Sequence, residues 1–277
     1  YVNANSDTVE VKLFPNSQLG QSREVIEAMR LGGGASATTG GPAEYASFVK
    51  RVGVLGLPFV WKSYAHAEAV LDGPVGKELN GDMEKAGFKV LAWAVSWGYR
   101  NVVTSKKEVK APADLKGLKI RTPPDTMTVD IMQTLGADTQ QIKFAELYVA
   151  LQQGVVDGQE NPLTNIASAK LYEVQKYISM TGHKYESTPF MMSKRAWERL
   201  TSADQRIFMQ AAAEATQMQR KLNKEADDQL VSELKGKGVQ IDTVNSKAFA
   251  DACKPVYDKW ISGPTGDFVK KVVAAAR

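Results

Sequence analysis

Arg121 is the residue in this sequence best suited to hold an anion. It closes the short apolar stretch Leu118-Lys119-Ile120-Arg121-Thr122, which two prolines, Pro123 and Pro124, bring to a stop. A planar guanidinium grips a carboxylate with two parallel hydrogen bonds, a geometry that lysine cannot match. The end of a strand aims it toward a crevice, although an arginine there can also be a plain surface charge. A second candidate is Asn161 in Gln159-Glu160-Asn161-Pro162, because an amide can both donate and accept toward a carboxylate or hydroxyl. Glu160 would repel an anion and is expected to hold the turn or an arginine. Phe144 and Trp97 can wall a ligand's carbon skeleton or pack in the core, and Tyr185, Gln140 and Gln141 can add polar contacts.

Catalytic chemistry finds less support. With 2 histidines and 1 cysteine, there is no HExxH, no paired CxxC and no set of nucleophile, base and orienting residue. No catalytic residue, metal or cofactor is expected. Gly32-Gly33-Gly34-Ala35-Ser36-Ala37 fits the relaxed pattern GxGxxA, but it follows a helix and lacks an acidic residue about 20 positions on, so it reads as a loop. His66 and His183 read as packing or capping residues, and Cys253 as a small packing residue.

The elements that must position these groups alternate in type. Val9, Val11 and Leu13 alternate with Glu10 and Lys12 as a strand, followed by a helix capped at Ser22 with Val25, Ile26 and Met29 on one face and Gly32 behind it. Residues 52–57 and 89–95 give further strands, flanking a helical stretch 65–85 interrupted at Gly73-Pro74. Asp125 caps a helix carrying Met127, Ile131 and Leu135 that ends at Gly136. Leu147, Ala150 and Leu151 share a helical face with Gly154 past its end, Val155-Val156 reads as a buried strand, and residues 159–161 form a polar turn closed by Pro162. The class is therefore α/β with mostly parallel pairing. Thr201-Ser202-Ala203-Asp204 is a capping box, and no breaker interrupts the apolar spacing before Gly236. About 34 residues make a helix of roughly 50 Å, longer than one small domain needs.

Composition excludes several classes. The 277 residues are 43% hydrophobic and 24% charged, as in ordinary globular proteins, with 35 Lys and Arg against 31 Asp and Glu. A net charge of +4 without a basic run does not suit nucleic acid. A lone cysteine makes no intrachain disulfide and does not identify a compartment. No apolar run reaches the roughly 18 residues of a membrane helix, and the chain reads as mature and soluble.

Five segments carry a family resemblance: residues 14–20 (FPNSQLG), 57–59 (LPF), 114–124 (DLKGLKIRTPP), 151–162 (LQQGVVDGQENP) and 172–177 (YEVQKY). Over almost the whole chain the sequence resembles the periplasmic solute-binding subunits, DctP type, of tripartite ATP-independent periplasmic (TRAP) transporters. The resemblance implies a two-lobed periplasmic-binding-protein fold, with the ligand between lobes joined by crossing strands and a long helix spanning both. On that pattern one lobe takes residues 1–97 and 187–226, and the other takes 98–186 and 227–277. It implies a receptor in the periplasm that passes a small organic acid to the small and large integral membrane components of the transporter. Arg121 would be the carboxylate clamp and Asn161 a ligand contact. Arg100, in Trp97-Gly98-Tyr99-Arg100-Asn101, would be a second arginine near the ligand, with a structural ion pair as its alternative. Family members open with a strand and an amphipathic helix before the Val9–Leu13 segment, and only the tail of that helix is expected here. For the ligand, Asn101, Gln140, Gln141 and Asn161 suit a sugar acid such as a hexuronate. Trp97 and Phe144 suit an aromatic acid, and Arg100 could take the second charge of a dicarboxylate. A ligand-sensing module and a small-molecule enzyme are the rivals from other classes.

Overall fold

The structure, a computed structural model, describes residues 1–15 and 17–277; Asn16, within one of the motifs above, lies outside the described residues. Among them, seven strands form one sheet: β1 (Ala37–Thr39), β2 (Phe88–Thr104), β3 (Lys119–Thr122), β4 (Asp138–Gln141), β5 (Gly158–Asn161), β6 (Tyr177–Ser193) and β7 (Gln240–Thr243). Their order is β1-β6-β2-β5-β3-β4, with β7 also paired to β6. The long strands β2 and β6 run antiparallel from Phe88 opposite Ser193 to Thr104 opposite Tyr177, with register breaks at Val90/Ala92, Val95/Gly98 and Arg100/Val102. Short strands attach at the two ends of this ribbon: β1 along Phe190–Met192, β7 along Tyr177–Met180 and β5 along Asn101–Thr104.

Each end of the ribbon has its own apolar packing, and one helix touches both. Helix Ser202–Gly236, 35 residues long, begins at Thr201, whose hydroxyl accepts the Asp204 amide. It supplies Phe208 and Ala212 to the cluster around Leu91 and Met192, and Leu234 to the cluster around Val103, Leu147 and Ile178. At 1.5 Å per residue such a helix is about 50 Å long, which is what lets it reach from one end to the other. The largest cluster joins residues distant in sequence. Val52, Val54, Leu55 and Leu79 pack with Met127 and Ile131 and with Phe249, Val256, Phe268 and Val272 from the closing helices. Tyr257 donates to the Pro58 carbonyl at 2.6 Å, so the C-terminal segment sits on residues 49–79 as well as on the helix Thr126–Thr134.

Several sequence expectations need correction. The pairing is not mostly parallel: β3–β4, β3–β5 and β6–β7 are parallel, but the longest ladder, β2–β6, is antiparallel, as are β1–β6 and β2–β5. The alternating segment 9–13 forms no strand. Both backbone groups of Val11 are taken by the Asn3 side chain, at 2.7 and 2.9 Å, and Leu13 is exposed; an apolar pattern makes a strand only where a neighbouring edge accepts it. Residues 52–57 fall mostly within the 3-10 turn Lys50–Gly56, a fully buried run whose lack of periodicity leaves strand and turn indistinguishable in sequence. Val155 and Val156 are also not a strand. Gly154, at φ +70°, ends helix Phe144–Gln152, and the amides of Gly154 and Val155 return to the carbonyls of Leu151 and Ala150. The strand comes three residues later, so Gln159, Glu160 and Asn161 are buried strand residues instead of a turn.

Gly158 admits this strand between its neighbours. A Cβ there would run into the Val103 carbonyl and stand 2.9 Å from Ile120 Cδ1 and 3.1 Å from Thr104 Cγ2. Gly158→Ala should therefore destabilise the protein by about 1–3 kcal/mol in urea unfolding; an unchanged midpoint would show that β5 has room to move.

Candidate functional site

Arg121 reaches its position because β3 cannot continue. Pro123 and Pro124 remove the amides a ladder needs, and Asp125 then caps the helix Thr126–Thr134 through the amides of Met127 and Thr128. The Arg121 Nε–H donates to the Ile142 carbonyl at 2.8 Å, which fixes the stem and leaves the rest of the guanidinium to face a cavity. Phe144, at the start of its helix, lies with its ring centroid 5.9 Å from the guanidinium carbon. Arg121 is only 2% exposed, yet no carboxylate among the described residues comes within ion-pair distance. Burial therefore pulls its pKa down to about 10, with Arg100 adding to the fall and Glu160 opposing it.

The cavity has a volume of about 830 Å3. One wall is drawn from the segments 21–24 and 43–50, Glu44 and Lys50 among them, a second from 121–126 with Lys143 and Phe144, and a third from 259–265 near the C-terminus. The third wall is pinned through Asp130, which accepts from Lys259 Nζ at 2.7 Å and from the Trp260 indole at 2.9 Å.

Beside Arg121 lies a buried polar network that sequence reasoning captured only in part. The Arg100 guanidinium pairs with Glu160 through Nε and through Nη2 at 2.7 Å, reaches Glu186 at 3.1 Å, and donates to Asn161 Oδ1 at 3.2 Å. Glu160 thus holds an arginine, and Arg100 is engaged by protein carboxylates. Burial alone would raise the Glu160 carboxyl, but Arg100 and His183 bring it down to about 2. His183 faces Glu160 at 3.2 Å and Thr181 at 2.8 Å, and burial holds its pKa below the usual histidine value. It is therefore a buried polar partner more than a packing residue. Lys184, 1% exposed, reaches Asp125 at 2.6 Å, Thr128 at 2.9 Å and Glu186 at 3.4 Å. Asn161 Nδ2 donates to Gln159 Oε1 at 2.5 Å.

Of the residues singled out in the sequence, the cavity brings together Arg121 and Phe144. Arg100 and Asn161 belong to the network just described. Trp97 holds Thr164 through its carbonyl at 3.0 Å, and its ring edge lies 3.3 Å from where a Cβ on Gly41 would stand. Tyr185 is buried in a trio with Tyr64 and Tyr99, at centroid distances of 5.8 and 5.3 Å, with its hydroxyl closed off and unpartnered. Gln140 and Gln141 are exposed on the edge strand β4. Three groups escaped the sequence reading: Glu44, Asp125 beyond its capping role, and Lys184. A signal for the last two existed, since a lysine inside a long strand whose neighbours are buried demands a carboxylate partner.

With this geometry in place, comparison with known proteins is informative. Residues 3–263 match the bacterial extracellular solute-binding protein family 7, DctP. The chain belongs to that family. It is a TRAP-type solute receptor of the periplasm, in a family of receptors for small organic acids that work with TRAP membrane components. Curated relatives include an uncharacterized protein of Sinorhizobium fredii, 46% identical over 90% of this chain, of whose length the receptor spans 46%. Another is the 2,3-diketo-L-gulonate-binding periplasmic protein YiaO of Escherichia coli, 37% identical over 88% of this chain and 74% of that protein. Among solved structures, the sugar acid binding protein of Advenella mimigardefordensis in complex with galactonate superposes with a TM-score of 0.94, at 30% identity, over 99% of this chain and 89% of that one. These neighbours are two-lobed, and the receptor shares their α/β fold.

Two measurements test the electrostatics. Glu160→Gln leaves Arg100 buried with only Glu186 opposite it, so urea unfolding should show a loss of about 3–5 kcal/mol. Glu44, on the cavity wall, has its carboxyl raised from 4.5 to about 7, first by burial and further by Glu186, against the pull of the Ser22 hydroxyl. A carboxyl raised by folding stabilises the folded state fully below pH 4.5 and loses that contribution as pH climbs through about 7. Glu44→Gln should therefore match the wild type in thermal unfolding near pH 4.5 and exceed it at about pH 8; a constant difference across that range would refute the raised value.

Proposed function

We propose that this receptor captures a hydroxylated monocarboxylate, a sugar acid such as a hexuronate or an aldonate, with Arg121 as the carboxylate clamp and Phe144 against the carbon chain. The observation that carries the reading is the Arg121 guanidinium: buried, held by one backbone carbonyl, facing a cavity, and without a carboxylate partner among the described residues. A buried cation lacking a counter-ion is costly, and a ligand carboxylate supplies one with bidentate geometry. Arg100 supports the site by occupying Glu160 and Glu186, so that neither repels the incoming anion. Asn161, Trp97 and Tyr185, none of which lines the cavity, are candidates for contact on closure. The galactonate complex and the diketogulonate-binding relative favour a sugar acid over an aromatic acid.

On this reading the ligand is bound and released unchanged, then handed to the small and large TRAP membrane subunits. Residues 1–97 with 187–226 would close on 98–186 with 227–277 about β2 and β6, the C-terminal helices bridging both parts. The ligand selects the closed state because only there do groups from both sides touch it.

Thermal unfolding against a panel of sugar acids, aromatic acids and short dicarboxylates tests the class. A ligand at 100 times its dissociation constant adds about 2.7 kcal/mol, a shift of several degrees. In calorimetry with the acid that gives the shift, Arg121→Ala should weaken binding by roughly 30-fold to several thousandfold, the equivalent of about 2–5 kcal/mol. Unchanged affinity would remove the clamp from the proposal.

A further inference from the structure

We propose that Glu44 sets the selectivity of the cavity: its carboxyl takes a ligand hydroxyl and turns away acids that bring a second carboxylate to that wall. The inference rests on the sugar-acid reading above and assigns a specificity-determining residue within it. Four observations support it. Glu44, on the short helix Pro42–Ala46, lines the same cavity as Arg121 but on a different wall. Its Oε2 is closed off from solvent and has no hydrogen-bond partner. The carboxyl folds back over Gly40, where a Cβ would run into Oε2, so it occupies room that a side chain at that position would fill. Behind it, Glu186 Oε1 lies 2.8 Å from where a Cβ on Gly41 would stand, a carboxylate held by Arg100 and Lys184 rather than facing the cavity.

A carboxylate accepts and does not donate, so Glu44 can take a ligand hydroxyl at the edge it presents to the cavity. A ligand carboxylate offers no donor there and would meet the like charge of Glu44. The lysines of the cavity do not relieve this. Lys259 is bonded to Asp130, while Lys50 and Lys143, like Arg23 on the same wall as Glu44, are exposed to solvent. Arg121 at one wall and Glu44 at another give the cavity a polarity: one acid group is welcomed, a second is rejected, and discrimination comes as much from the repulsive end as from the attractive one.

Galactonate and galactarate make a matched pair of probes, because they differ in whether the carbon remote from the first carboxylate is a hydroxymethyl or a second carboxylate. Calorimetry at about pH 8, where Glu44 is ionised, should give wild-type protein a clear preference for galactonate. Glu44→Gln, which keeps the shape and removes the charge, should narrow that preference by about tenfold or more, mainly by improving galactarate. Glu44→Ala provides the same readout should the amide variant not fold, and thermal unfolding of each variant establishes that it is folded. Galactonate binding with an unchanged ratio in either folded variant, or a wild type that favours galactarate, overturns the role of Glu44 and leaves the sugar-acid reading standing. A wild type that binds neither acid but responds to another class in the panel overturns the sugar-acid reading, and the inference falls with it.

Discussion

Charge neutralisation inside the protein is the constraint on which the site depends. Arg100, Arg121 and Lys184 are buried close to Asp125, Glu160 and Glu186, and a buried charge persists only where an opposite charge and hydrogen bonds replace water. The pairing is uneven. Arg100 engages Glu160 and Glu186, and Lys184 engages Asp125 and Glu186, so two cations share all three carboxylates. Arg121 is left with one backbone carbonyl and an aromatic face. The network thus does two things at once: it ties β2, β5, β6 and the helix after β3 together, and it leaves a positive charge at the cavity wall.

Much of this was legible in the sequence where local chemistry decides the outcome. The prolines after Thr122 end β3 and present Arg121, Asp125 caps the following helix, and Gly154 terminates the one before β5. Such features depend on a few adjacent residues and survive tertiary context. The misreadings share the opposite property. Val155-Val156 and residues 52–57 are apolar runs whose state is chosen by what packs on them, and Val9–Leu13 has the alternation of a strand but no edge to join. The role of Arg121 needed a short motif and a family resemblance. Glu44 and Lys184 needed three dimensions, because their partners lie on other elements: Ser22 and Glu186 for the first, Asp125 and Thr128 for the second.

The receptor architecture explains why polar residues are packed so densely on central strands. In β6, Thr181, His183, Lys184, Glu186 and Ser187 are all buried, a composition that a strand serving only as core would avoid. These groups lie where the two ends of the sheet meet, and the register breaks near Gly98 and Arg100 fall in the same region of β2. Bulges twist and bend a ribbon locally, so the segment that carries the ion pairs is also where the ribbon departs from regularity.

The closing helices give the chain a temporal property. The cavity's third wall, Lys259–Thr265, and the apolar partners of Val52–Leu57 come from the last stretch of the sequence, about two hundred residues from the segments they cover, as the bond from Tyr257 to Pro58 illustrates. Contacts so distant are expensive in loop-closure entropy and form late. The cavity is therefore enclosed only when the final helices dock, and competence to retain a ligand depends on contacts that span most of the chain.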